Sequence, residues 1–195
     1  MNPYVDPRAR QYVRAFLDKY FSDNRKRTLI LGINPGRFGA GITGVTFADP
    51  IALAEECGIP NDLPKKRELS SIFIFSVINH LGGPAEFYRR FFVSAICPLG
   101  FTRDGVNLNY YDVRALETAV TAFIVSSIEK QIAMGCDRDR VVILGRGTNA
   151  EFFRRLNAKH EWFDIVHAVD HPRFILQYRR KQAESYVSIY SEVLR

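Results

Sequence analysis

Two side chains stand where residue type and context allow chemistry: Asn34, inside a glycine-rich stretch, and His171, directly before a proline. The stretch Leu31–Phe47 reads LGINPGRFGAGITGVTF. It leaves an apolar run, Thr28-Leu29-Ile30-Leu31, and breaks into a loop that allows close approach of another molecule. Pro35 fixes its own φ and pushes Asn34 out of the helical region. Asn34, Thr43 and Phe47 are spaced through the glycines, and a mere connector needs neither Phe38 nor Phe47. The loop is not a phosphate-binding P-loop, because no Gly-Lys-Ser/Thr follows the glycines. Gly32, Gly36 and Gly39 do not give the dinucleotide pattern G-x-G-x-x-G, and Gly145-Arg146-Gly147 lacks its third glycine. His171 has the setting of a working imidazole, with a basic and aromatic run after its proline. His80 sits inside an apolar helical pattern and reads as structural. His160 and His167 have no clustered partners. No His/Cys/Asp/Glu set has ligand spacing, so a metal site is not expected.

The elements that must position these residues follow from hydrophobic periodicity. A first helix is expected over Pro7–Tyr20, with Asp6 as its cap. The first strand covers Thr28–Leu31. Pro50–Cys57 reads as a short helix stopped by Gly58. Asn61–Arg67 reads as a polar loop whose Lys65-Lys66-Arg67 run is a solvated tip. Leu69–Leu81 reads as a helix buried on most sides, closed by Gly82-Gly83-Pro84. The second strand is placed at Phe91–Ile96 and ends in Cys97-Pro98. Asp104-Gly105 marks a tight reversal. A long helix over Val113–Met134 stops at Gly135. The third strand is Val141–Leu144, followed by a helix over Thr148–Leu156. The fourth strand is placed at Phe163–Val166, and the last helix at Tyr178–Leu194. Strands alternating with helices predict an α/β fold, a parallel sheet with helices on both faces. The strand ends carrying Asn34, Cys97-Pro98 and His171 then share one edge, where open α/β sheets place ligands.

Composition narrows the function classes. Apolar residues make up 47% and charged residues 25% of 195 residues, as in a folded globular protein, and a single domain spanning 1–195 is expected. The net charge of +6 attracts polyanions. No run approaches the length of a membrane span, and the N-terminus has no apolar leader core. Cys57, Cys97 and Cys136 fit reduced thiols better than a disulfide framework, which points to the cytoplasm.

At this point the residues resemble a known family. Gly32-Ile33-Asn34-Pro35-Gly36, Phe38-Gly39, Thr43-Gly44-Val45 and Phe47 resemble the first motif of the single-strand-selective monofunctional uracil-DNA glycosylases. Phe92-Val93, Cys97-Pro98-Leu99 and Asn107-Leu108 resemble that family's second strand and the segment after it. Val141–Arg146 resembles the third strand, and His171-Pro172 stands where the second motif begins. The resemblance runs in order from about Thr28 to Pro172. It implies a three-layer α/β/α fold with a four-stranded, mainly parallel central sheet. It implies hydrolysis of the N-glycosidic bond of a flipped-out base in DNA, by a monomer, without metal or cofactor. By matched position, Asn34 holds the attacking water. Phe47 stacks on the base, while Ile33, Pro35, Gly36 and Phe38 contribute to its pocket. His171 donates to a carbonyl oxygen of the departing base, a contact that strengthens as that base becomes anionic.

Two departures mark a divergent, bacterial-type branch. The family's base-reading asparagine is matched by Ala95, beside Ser94. Without that amide the site loses a donor–acceptor pair that separates uracil from cytosine. Either Asn107 or Asn109 replaces it, or the preferred base differs. The His-Pro pair then continues as Arg173-Phe174-Ile175-Leu176-Gln177-Tyr178-Arg179-Arg180-Lys181 in place of the family's Ser-Pro-Arg-Asn. Arg173, Phe174, Arg179 and Arg180 supply an aromatic tip with cations for a DNA backbone; the bland alternative is a helix start with a solvated basic face. Uracil or another deaminated base is the expected substrate. A non-catalytic nucleobase-, nucleotide- or DNA-binding module is the alternative, supported by Ala95.

Overall fold

Arg27–Gly32 forms the strand around which the sheet is built, and all six of its residues are buried. A central strand of a parallel sheet is covered on both faces, so its sequence is a continuous apolar run rather than an alternating one. In the computed structural model, which describes residues 1–195, the elements follow in order. Helix α1 is Pro7–Tyr20, followed by β1 at Arg27–Gly32. A one-turn helix, α2 at Ala40–Thr43, interrupts the glycine-rich loop. Then come α3 (Pro50–Glu55), α4 (Leu69–His80), α5 (Gly83–Arg90) and β2 (Phe91–Ala95). A hairpin follows, β3 (Phe101–Arg103) and β4 (Val106–Leu108), before α6 (Arg114–Ala133). The chain ends with β5 (Cys136–Leu144), α7 (Thr148–His160), β6 (Ile165–Val169), α8 (Pro172–Tyr178) and α9 (Ala183–Val193).

The main sheet has the order β2-β1-β5-β6, and every pairing in it is parallel. Alternate β1 side chains serve opposite layers, as the two-residue period of a strand requires. Ile30 joins Val142, Leu144 and Val169 in a core shared with Phe16 of α1, the α4 residues Phe73–Ile78 and Tyr190 of α9. Leu29 and Leu31 join Val141 and Ile143 in a second core under Ile124 and Ile128 of α6 and Phe152 and Phe153 of α7. The three-layer α/β/α arrangement is thus written in one tetrapeptide of β1.

Several expected boundaries shift, each for a local reason. The fourth strand runs Ile165–Val169 rather than Phe163–Val166. Asn157 at the end of α7 takes the Phe163 N–H and donates to the Phe163 carbonyl, which pins Phe163 in coil before pairing starts. The third strand begins five residues early, at Cys136, which pairs with Arg27 of β1, and Arg140 pairs with Ile165 of β6. Gly82-Gly83-Pro84 closes α4 but also opens α5, which buries Phe87 and Tyr88. The last helix, expected from Tyr178 to Leu194, starts later as α9 at Ala183, and a 3-10 turn at Arg180–Gln182 separates it from a further short helix, α8, directly after His171. No apolar side chain between Tyr178 and Ala183 is available to hold a continuous helix on the core. Asp104 and Gly105 both take positive φ (50° and 72°), the geometry of a two-residue hairpin turn.

Candidate active site

The carboxyl edge of the sheet gathers the loops after β1, β2 and β6 around a cleft of about 50 Å3. Gly32, Ile33, Asn34, Pro35 and Gly36 form one wall, Ala95 and His171 reach it from β2 and α8, and Phe47 closes it. Ala40, Thr46, Glu68 and Ser70 complete the lining. Five of the predicted site residues, Ile33, Asn34, Pro35, Gly36 and Phe47, therefore share a cleft with His171.

Asn34 is held at both ends of its amide. Nδ2 donates to the Leu108 carbonyl at 3.1 Å, and Oδ1 accepts from the Tyr110 N–H at 3.1 Å. An amide nitrogen has a second hydrogen and an amide oxygen a second lone pair, so each end keeps one free site. The clamp is stiff because Tyr110 is fully buried. Its hydroxyl donates to Asn149 Oδ1 at 2.9 Å, and Asn149 in turn donates to the Leu144 carbonyl. Tyr110 escaped the sequence reading; the signal was an aromatic pair, Tyr110-Tyr111, in an otherwise polar segment between hairpin and helix.

Phe47 adopts φ of 58°, a left-handed conformation that is costly for an aromatic residue. Its ring packs over Gly32, where an added Cβ would lie 2.8 Å from the ring. Glycine at the end of β1 is thus required by Phe47 and not by its own φ. Thr43, singled out in the loop, does not line the cleft. It is buried, with its hydroxyl donating to the Ala48 carbonyl at 2.8 Å, and so fastens the loop internally.

His171 is the N-cap of α8, and its Nδ1 accepts the Arg173 N–H at 3.2 Å. A nitrogen that accepts a hydrogen bond carries no proton, so the proton of the neutral ring sits on Nε2. Burial, reinforced by the Arg173 charge, pushes the imidazole down from 6.5 to about 4. At neutral pH the ring is therefore an uncharged Nε2–H donor. Its centroid lies 6.0 Å from that of Phe47.

Glu68 is a cleft-lining carboxylate that the sequence reading did not single out. It precedes α4 and reaches across to the glycine-rich loop, where Oε1 accepts the Phe38 N–H at 3.2 Å. Its carboxylate fills the space between Gly36 and Gly39, where added Cβ atoms would lie 2.7 and 2.3 Å from its oxygens. The Glu68 N–H in turn donates to Oδ2 of the buried Asp49 at 2.8 Å. Burial raises the Glu68 carboxyl above its ordinary value; the Phe38 N–H opposes the shift and Asp49 adds to it.

Phe38 and Asn107 lie elsewhere than expected. The Phe38 ring lines the neighbouring groove of about 670 Å3 with Lys66, and the Arg37 and Lys66 cations stand 4.5 and 4.4 Å from its centroid. Asn107 Oδ1 accepts the Arg37 N–H at 3.2 Å, which braces the loop from β4 without lining the cleft. Asn109 is likewise engaged with Asp112. Neither asparagine supplies the amide missing at Ala95, which is buried in the cleft wall.

Beside His171, α8 presents an exposed aromatic and cationic edge. Ile175 is fully buried and anchors the helix, while Phe174 and Tyr178 are 39% and 61% exposed with ring centroids 5.5 Å apart. The Arg179 guanidinium stands 5.6 Å from the Phe174 ring. Arg173, Arg179 and Arg180 are all exposed.

Comparison with known proteins agrees with this geometry. The family described as the uracil DNA glycosylase superfamily matches residues 19–195. The crystal structure of wild-type Pedobacter heparinus SMUG2 superposes with a TM-score of 0.95, at 43% identity, over 99% of this chain and 85% of that one. The single-strand selective monofunctional uracil DNA glycosylase of Bos taurus is 30% identical over 103 residues, 44% of this chain and 38% of its own length. The Rattus norvegicus protein of the same description is 33% identical over 108 residues, 46% of this chain and 39% of its own. The chain thus matches well under half the length of these curated relatives. Together with the parallel sheet and its cleft, the matches place this chain in the uracil DNA glycosylase superfamily, among the single-strand-selective monofunctional type.

Proposed function

We propose that this chain is a monofunctional DNA glycosylase that hydrolyses the N-glycosidic bond of uracil or another deaminated base, the first step of base excision repair. The observation that carries the reading is one cleft shared by a clamped amide, a strained aromatic ring and an uncharged imidazole donor. In this reading the free sites of Asn34 hold a water, and the cleft exceeds the roughly 15 Å3 that one ordered water needs. An amide is too weak a base to ionise water, so Asn34 acts by placement. Phe47 stacks on the base. His171 donates its Nε2–H to a base oxygen that becomes negative as the bond breaks, and so favours the transition state. A neutral donor suits this role, since it does not require a proton to be held at a buried site. DNA is the partner in this reading: Arg173, Phe174, Arg179 and Arg180 flank the cleft as phosphate contacts and wedge.

The test is a panel of single- and double-stranded oligonucleotides carrying uracil, hypoxanthine, xanthine or hydroxymethyluracil. Free base should be released from at least one of them, leaving an intact strand that alkali cleaves at the abasic site. Tight binding across the panel without release of any base would leave a binding module in place of an enzyme.

A further inference from the structure

Glycosidic hydrolysis in this cleft leaves one proton without a destination. Water that attacks C1′ must lose a proton, Asn34 cannot take it, and His171 already carries its proton on Nε2. Glu68 is the carboxylate among the residues that line this cleft. We propose that Glu68 is a catalytic residue, the general base that takes this proton. The role rests on the glycosylase reading of the same site.

The geometry prepares Glu68 for such a step. Its carboxylate is fixed by the Phe38 N–H and enclosed by Gly36 and Gly39, so it cannot swing away from the loop that carries Asn34. A carboxylate has about four lone-pair sites. The loop backbone meets this group at the Phe38 N–H, and Glu68 also lines the cleft. Gly36 and Gly39 acquire a reason here: any side chain at either position would evict the carboxylate. Charged and titratable groups reach Glu68 from each neighbouring element. Asp49, before α3, repels its charge; Arg173, on α8, attracts it. His171 shares the cleft and stays neutral above about pH 4. The raised carboxyl is a better proton acceptor than an exposed glutamate.

The step balances without a further reactant. The C1′–N bond breaks and its electron pair leaves with the base, whose oxygen is met by His171 Nε2–H. The water oxygen bonds to C1′, and the water proton passes to the Glu68 carboxylate. Glu68 then returns this proton to the base anion, directly or through solvent, which restores the free enzyme.

The test compares wild type, Glu68→Gln and Glu68→Ala in single-turnover cleavage across pH, with DNA affinity and melting temperature measured alongside. Glutamine keeps the acceptor for the Phe38 N–H but cannot take a proton. Glu68→Gln should therefore bind uncleaved DNA as wild type does while losing roughly 100- to 10,000-fold in rate. Its rate should also lose the decline that wild type shows as falling pH protonates Glu68. Added formate should restore part of the Glu68→Ala rate. An active wild type with an equally fast Glu68→Gln would overturn the role and leave the glycosylase reading intact. A Glu68→Gln loss matched by lost affinity and melting temperature, with no change in pH profile and no formate rescue, would reduce Glu68 to a loop fastener. A wild type inert on every base ends the glycosylase reading itself, and this role with it.

Discussion

At the scale of single residues, Asn34 and His171 could be found in the sequence because each follows a strand and adjoins a proline. Glu68 could not, because its partners Phe38 and Gly39 are about thirty residues away and meet it only in the folded chain. Tyr110 was hidden for the same reason: the residue it orients, Asn34, lies 76 positions earlier. The state of His171 also needed the structure, since the Arg173 N–H fixes the tautomer and burial removes the charge. That burial has a measurable cost at low pH. Above about pH 6.5 His171 is neutral in both folded and unfolded chains. As pH falls from 6.5 towards 4, the unfolded chain binds a proton that the folded imidazole refuses, so stability is lost over that window. Below about 4 both forms are protonated and the loss stops growing. The full effect is on the order of 3 kcal/mol. His171→Asn keeps a capping acceptor but does not titrate, so its stability should fall less over this window in denaturant titrations. Identical pH dependence in variant and parent would show that the imidazole is not held neutral. The same variant should cleave every accepted base more slowly, with the smallest loss for the base that leaves most easily as an anion.

At the scale of elements, the glycine-rich loop was legible and the helix after His171 was not. The loop announces itself through composition. Helix α8 is short, and its pattern merges with that of α9 until the Arg179–Gln182 turn separates them. The separation matters, because it sets Phe174, Tyr178 and the arginines on a short unit anchored by the buried Pro172 and Ile175. Each phosphate contact releases counterions, so log affinity falls linearly with log salt. Replacing Arg179 and Arg180 together by glutamine should flatten that slope by about 1.4 on single-stranded DNA, roughly 0.7 per contact. Fluorescence anisotropy over a salt series measures it. An unchanged slope would place both arginines away from the strand, and α8 would then be only a cap over the cleft.

At the scale of the whole molecule, the architecture was legible because β1 and the Val141–Leu144 end of β5 carry apolar runs and the helices between them carry clear periodicity. What escaped was set by partners distant in sequence: Asn157 delays β6, and Arg27 of β1 pairs with Cys136 at the early start of β5. The parallel order β2-β1-β5-β6 brings the ends of β1, β2 and β6 to one edge, and so makes a single cleft from segments more than 130 residues apart. The central claim is that this cleft hydrolyses a glycosidic bond with water placed by Asn34. Single-turnover cleavage by Asn34→Ala, read beside affinity for uncleaved DNA and melting temperature, tests it most directly. The substitution removes the hydrogen bonds to Leu108 and Tyr110, so a stability loss of about 1–3 kcal/mol is expected. Below the melting transition, affinity should change little and the rate should fall by at least about 100-fold, since water placement is a transition-state contribution. An Asn34→Ala protein that is folded and cleaves as fast as wild type would contradict the account.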